Sequence, residues 1–245
     1  QLTHSYPDKV RIRPYNKPFN YSAINNYAVN LSNADIVGLV NNDVEAIEAN
    51  WLNEMVSHCI RPDVGCVGAK LLYSNDTIQH GGVIIGLGGV AGHSHKYFPK
   101  SSPGYMHRLQ YTQQVSAVTA ACLLVKRSIF NEVGGLNSKD LTIAFNDVDF
   151  CLRVHTTGYR NIFTPNAMMY HHESISRGTE DTPEKQKRFS QEVKFMINQY
   201  DVLNKNKLPV DLFYNPNLTS AHENFSINSD INNIRDGIEE HDRAI

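Results

Sequence analysis

The sequence predicts an α/β domain with a mixed, mainly parallel sheet flanked by helices. Short apolar runs of strand length alternate with amphipathic stretches along most of the chain. The 245 residues suffice for one large domain or a domain and a half. No run approaches the roughly 18 apolar residues of a membrane span.

Each element follows from its local pattern. Val10–Arg13 alternates and reads as a short strand. Ser22 can cap a helix whose apolar residues Ile24, Tyr27, Ala28 and Leu31 recur at spacings of three and four. The unbroken apolar run Ile36–Val40 reads as a central strand. Trp51, Leu52, Met55, Val56 and Cys59 line a second helix, stopped by "RPDVG" and followed by the strand "GCVGAKLLY". Residues 81–95 hold six glycines but no phosphate-loop pattern, and read as a flexible loop with close backbone packing. Ala117–Val125 is a strand, then a short helix ends at Gly134–Gly135. A helix starts near Asp147, with Val148, Cys151, Leu152 and His155 on one face and Gly158 at its end. "RNIFTPNAMMYHHES" reads as two short strands broken at Pro165. Thr182 and Pro183 open a long helix with a stripe of Phe189, Val193, Ile197 and Tyr200. The expected division is a domain over 1–207 and an irregular extension over 208–245.

Composition excludes several function classes. A net charge of −2 gives no footprint for nucleic acid. No basic and apolar signal segment opens the chain, and no transmembrane segment is expected. Cys59, Cys66, Cys122 and Cys151 form no C-x-x-C pair and read as buried thiols of a reducing compartment. A zinc hydrolase reading lacks an H-E-x-x-H helix.

Three polar clusters stand at strand or helix ends, where open α/β sheets bind ligands. In "LVNNDVE" the apolar run ends in Asn41, Asn42 and Asp43. These are good turn residues. They also suit Mg²⁺, which uses one or two carboxylates and completes its shell with phosphates and water. In "FNDVDF", Asp147 and Asp149 can stabilise a helix N-terminus, or one can act as a general base at a pocket rim. In "YHHESISRG", His171 and His172 face opposite sides of a strand, so one could ligate a metal, and Arg177 could hold phosphate oxygens. An acidic metal site, a base and a His with an Arg together suit group transfer from a diphosphate.

Eight ordered blocks, among them "FNYSAINNYAV", "LVNNDVE", "GAKLLYSNDTIQHGGVIIGLGGVAGH", "TAACLLVKRSIFNEVGGL", "FNDVDFCLR" and "FYNPNLT", resemble bacterial glycosyltransferases of family 2 with the GT-A fold, similar to rhamnosyl and related transferases of O-antigen and capsule assembly. The resemblance covers residues 10 to 225. It implies a cytoplasmic inverting enzyme, at the inner face of the membrane, that uses Mg²⁺ or Mn²⁺. The sugar donor would be a nucleoside-diphosphate sugar of UDP or dTDP type. The acceptor would be a glycan or lipid-linked glycan. By the same resemblance Asp43 would hold the metal, with Asn41 and Asn42 beside the diphosphate, and His171 would add a metal ligand. Ser176 and Arg177 would lie near the diphosphate, and Asp147 would be the catalytic base. Gln79, His80, Asn146 and Asp149 would stand on the acceptor or sugar side. The resemblance also implies that the first strands of such a domain lie outside this sequence. The competing reading is therefore an inactive fragment that binds a glycan or a partner chain, with a homo-oligomer as a further expectation.

Overall fold

The computed structural model describes residues 9–172, 182–200 and 211–228. Among the described residues the main sheet has seven strands. Strands β1 (Ile36–Val40), β8 (Cys122–Lys126), β3 (Val64–Leu72), β9 (Arg160–His171) and β2 (Val44–Ala46) lie side by side in that order. Strand β4 (Ile78–His80) pairs with β3, and β7 (Gln113–Val115) pairs with β9. The sheet is mixed, as expected, but among the described strands only β3 and β9 pair in parallel. Parallel neighbours need a long crossover, and β3 and β9 are the pair separated by most of the chain's middle.

Strand β3 is the centre. All nine of its residues are buried. One face packs Val64, Val67, Ala69 and Leu71 on Met55 and Cys59 of helix α2 (Trp51–Cys59). The opposite core holds Cys66 and Leu72 with Phe150, Cys151 and Val154 of helix α4 (Asn146–Thr156). A buried Leu or Phe contributes roughly 1.5–3 kcal/mol, so this two-sided packing fixes the sheet. All four cysteines are free and buried. Burial pushes the Cys59 thiol up to about 11 and Cys122 up to about 12, so neither is a reactive thiolate.

Several local expectations change. Residues 10–13 are not a strand. Helix α1 (Tyr21–Asn30) is capped by Asn20, whose side chain accepts from the Ala23 N–H at 2.9 Å. Ser22 instead is buried, with its hydroxyl on the Leu141 carbonyl, and Tyr27 and Leu31 are exposed while Val29 is buried. Strand β1 is an edge of the described sheet rather than its centre. Its Val37 and Leu39 are buried and its Val40 is exposed, the alternation of a strand covered on one face. The glycine-rich stretch is an ordered hairpin of β5 (Val83–Ile85) and β6 (Ala91–His93), where Gly86, Gly88 and Gly89 take positive φ. Residues 117–121 precede β8 as irregular backbone. Strand β9 is continuous through Pro165 because a bulge absorbs it: Ala69 pairs with Thr164 and Lys70 with Met168.

Helix α3 (Arg127–Glu132) ends at Gly134 and Gly135, both left-handed, as expected. Helix α5 (Pro183–Tyr200) buries Glu192 and Met196, and leaves Phe189 exposed and Val193, Ile197 and Tyr200 partly buried. A glutamate in the stripe has a purpose. Its carboxylate accepts from the Thr142 hydroxyl, the Ile143 N–H and the Ala144 N–H at 2.9, 2.9 and 3.3 Å, with Arg188 3.4 Å away. It pins the loop that leads into α4. Glu192→Ala strands these buried donors and is expected to cost about 3 kcal/mol. An unfolding free energy from urea within about 0.5 kcal/mol of wild type would contradict that role.

The described part of the C-terminal stretch packs on the hairpin. The Ile85 N–H donates to Asp211 at 2.7 Å, and the Phe225 ring stacks against His95 and Tyr105.

Candidate active site

Strands β1, β3 and β9 run in one direction, since β8 is antiparallel to both β1 and β3. Their carboxyl ends therefore share one edge of the sheet. A cleft of about 400 Å³ opens there. Asn41–Asp43 line it from the end of β1, Tyr73 from beyond β3, and His171 from the end of β9. Thr119–Ala121 form its floor, Asn146 and Asp147 enter from α4, and His93 and Lys96 stand on the hairpin side.

The turn after β1 is set by backbone. The Asn41 N–H donates to Ala121 O at 2.9 Å and the Val44 N–H to Asn41 O at 3.3 Å. Asp43 is then held beside His171 by the pairing of β2 with β9 and by the His172 N–H on Asp43 O at 2.9 Å. Asp43 Oδ1 lies 3.2 Å from His171 Nε2. No hydrogen-bond donor reaches this buried oxygen among the described residues.

The histidine's own bonds explain why. The Gln79 side-chain amide donates from Nε2 to the His171 carbonyl at 3.4 Å, which turns its Oε1 toward His171 Nδ1 at 2.7 Å. An amide oxygen only accepts, so the ring proton sits on Nδ1. In the neutral ring His171 Nε2 then carries a lone pair, to which Asn41 Nδ2 donates at 3.3 Å. Two acceptors, a carboxylate oxygen and an imidazole lone pair, thus face one another in a partly dry corner. That gap fits a cation.

Among the described residues no group of three or more His, Cys, Asp and Glu side chains could hold a metal. Two protein ligands with a ligand-supplied remainder match the sparing use that Mg²⁺ makes of protein. Mg²⁺ and Mn²⁺ share this coordination chemistry, so the donor set alone does not choose between them.

Asp147 occupies the first turn of α4, where the helix dipole favours a carboxylate. Its Oδ2 accepts from the Ala120 N–H at 3.0 Å and its Oδ1 from the Val148 N–H at 2.9 Å. Phe145, just before the helix, is in the left-handed region at φ 58°, a strained turn held by the pinned loop before it. These contacts aim the carboxylate into the cleft.

The remaining expected site residues divide. Asn42 lines the cleft. Asn146 lines it too, but its amide donates to Ile143 O at 2.5 Å and serves the turn. Gln79 lines it and holds His171 through Nδ1. His80 is fully buried behind the wall, with Nδ1 2.8 Å from His93 Nδ1. Asp149 does not line the cleft. Its carboxylate takes two bonds from Arg153 at 2.9 and 2.6 Å and the Tyr200 hydroxyl at 2.6 Å, a contact that ties α4 to α5. Ser176 and Arg177 lie outside the described residues. His93, Lys96, Tyr21 and the 119–121 backbone were not singled out from sequence. His93 and Lys96 lay hidden in a stretch read as a loop.

Residues 1–199 match the family described as "Glycosyltransferase like family 2". The chain belongs to this family. The family 2 chain is 54% identical over 221 residues to the uncharacterized protein y4gI of Sinorhizobium fredii, covering 90% of this chain and 24% of y4gI. It is 37% identical over 172 residues to the O-antigen biosynthesis protein RfbC of Myxococcus xanthus, covering 69% of this chain and 13% of RfbC. It thus spans a quarter or less of the length of these curated relatives. Among solved structures, a mannosyltransferase of Pyrobaculum calidifontis in complex with GDP-Man and Mn²⁺ superposes with a TM-score of 0.54 at 15% identity, covering 84% of this chain and 50% of the other. GalNAc-T7 with UDP, GalNAc and Mn²⁺ gives 0.54 at 10% identity, covering 79% and 38%. These likenesses establish the GT-A fold for the family 2 domain. No described helix is long and apolar enough to cross a membrane.

Proposed function

We propose that the chain is the catalytic domain of an inverting, metal-dependent glycosyltransferase. It moves a sugar from a UDP or dTDP sugar to a hydroxyl of a glycan or lipid-linked glycan, in surface-polysaccharide assembly at the cytoplasmic face of the membrane. The observation that carries this reading is one cleft that holds the Asp43–His171 acceptor pair and the Asp147 carboxylate together.

Asp43 and His171 would hold a divalent ion, which when bound supplies positive charge to a diphosphate leaving group. Asn41 and Asn42 offer amides beside it. Asp147 accepts the proton of the acceptor hydroxyl. Each carboxylate oxygen has two lone-pair sites, so the bonds from Ala120 and Val148 leave room for that proton. The hydroxyl oxygen then bonds to the anomeric carbon as the bond from that carbon to the phosphate oxygen breaks. The bonding pair leaves with the diphosphate. A single displacement of this kind inverts the anomeric centre.

The test is incubation with a panel of UDP, dTDP and GDP sugars, a lipid-linked glycan acceptor and Mn²⁺, with proton NMR of the product. The expected result is a glycoside of inverted anomeric configuration from one donor. A product that retains configuration would overturn the mechanism. Tight, metal-independent glycan binding without turnover would point to the binding-fragment reading.

A further inference from the structure

Two histidines line the cleft, His171 and His93. Both are contacted by the short buried strand β4, whose residues Gln79 and His80 project to opposite faces. Gln79 meets His171 and His80 meets His93.

The His80–His93 contact can be read as the Gln79–His171 contact was. The Thr119 backbone N–H donates to His80 Nε2 at 3.4 Å. A backbone N–H only donates, so His80 Nε2 carries a lone pair and its proton sits on Nδ1. His80 stays neutral: burial holds it well below the ordinary histidine range, with His93 and His171 nearby adding to the effect. Its Nδ1–H faces His93 Nδ1 at 2.8 Å, with the rings edge-on at 80°. His93 Nδ1 therefore accepts, and the proton of a neutral His93 is on Nε2. The two cleft histidines are thus fixed in opposite tautomers.

We propose that strand β4 is a tautomer-setting element: Gln79 makes His171 a lone-pair donor for a divalent cation, and His80 makes His93 an N–H donor for an oxygen of the bound nucleotide sugar. This rests on the transferase reading for the identity of both ligands, but the tautomers themselves do not. Gln79 and His80 are positioning residues that act through their histidines. Outer contacts of this kind set a ligand's orientation, and their loss typically lowers metal affinity by 10–100-fold.

The experiment is ¹⁵N-edited NMR of the histidine rings in the wild-type chain, with signals assigned by His93→Gln and His171→Asn. The expected spectrum shows His171 protonated at Nδ1 and His93 at Nε2. Free imidazole side chains favour the Nε2–H form, so the His171 signal is the more diagnostic one. Gln79→Leu is expected to shift His171 toward Nε2–H and weaken Mn²⁺ about 10–100-fold, whereas Gln79→Glu keeps the acceptor and restores both. For His93, His93→Phe should weaken UDP-glucose or UDP about 10-fold and His93→Gln, which still donates, should not. A loss confined to UDP-glucose places the oxygen on the sugar; an equal loss for UDP places it on the phosphates. Wild-type His171 in the Nε2–H form, His93 in the Nδ1–H form, or Mn²⁺ affinity indifferent to Gln79→Leu overturns the proposal. Absence of Mn²⁺ binding in wild type with both tautomers as stated overturns the metal reading and the ligand roles, and leaves the tautomer-setting contacts in place.

Discussion

Asp147→Asn is expected to lower kcat by about 10²–10⁴-fold while the fold and nucleotide binding persist. The substitution keeps one oxygen, which can still accept from Ala120 or Val148, so the turn should survive. The amide cannot take a proton from the acceptor hydroxyl. The loss should therefore fall on kcat, with KM for the nucleotide sugar little changed. A matching rise in KM with kcat intact would show instead that Asp147 only binds. Loss of folded protein would show that its bonds to the 120 and 148 amides serve the helix alone. The size of the effect separates a base from a cap, since a capping carboxylate contributes about 0.5–2 kcal/mol to stability and nothing to kcat.

The second large effect belongs to Asp43. Asp43→Asn is expected to abolish measurable Mn²⁺ binding and, with it, turnover. It should also raise stability by about 1 kcal/mol. The reason is the geometry of two facing acceptors. Asp43 Oδ1 is buried without a donor among the described residues and 3.2 Å from His171 Nε2. An amide nitrogen in its place would remove the carboxylate charge that faces the His171 lone pair and share that lone pair with the longer Asn41 Nδ2 contact at 3.3 Å, which relieves the repulsion. A binding site that is improved in stability by its own destruction is the expected sign of a group kept for function. Mn²⁺ titration followed by electron paramagnetic resonance, beside a urea curve, checks both halves. A destabilised Asp43→Asn with unchanged Mn²⁺ binding would contradict both.

Much of this was legible in the sequence, and what was not has a physical cause. Strand Ile36–Val40, the helix at Trp51–Cys59 and the helix near Asp147 were readable because period and end signals agree there. The clusters around Asp43, His171 and Asp147 were readable because each stands at the end of an apolar run or the start of a helix, the choice of these residues within them came from the family resemblance, and the structure places all three in one cleft. The edge position of β1 was not readable, because a five-residue apolar run looks the same at a sheet's centre and at its border. Glu192 was missed because periodicity assigns faces by hydropathy, and a carboxylate that serves three distant donors breaks that rule for a tertiary reason. Asp149 was over-read for the complementary reason. The i,i+4 spacing to Arg153 is a local sign of an ion pair, but nothing local reveals that Tyr200 also occupies it. Gln79 and His80 drew attention, but their roles depend on partners 92 and 13 residues away. A side chain that works by orienting another is invisible until both are placed.

The most direct test of the account is calorimetric titration of UDP and dTDP into the protein with and without Mn²⁺. The account predicts binding of at least one nucleotide that requires Mn²⁺ and disappears in Asp43→Ala. Binding that is equally strong without the metal, or unchanged in Asp43→Ala, would contradict it.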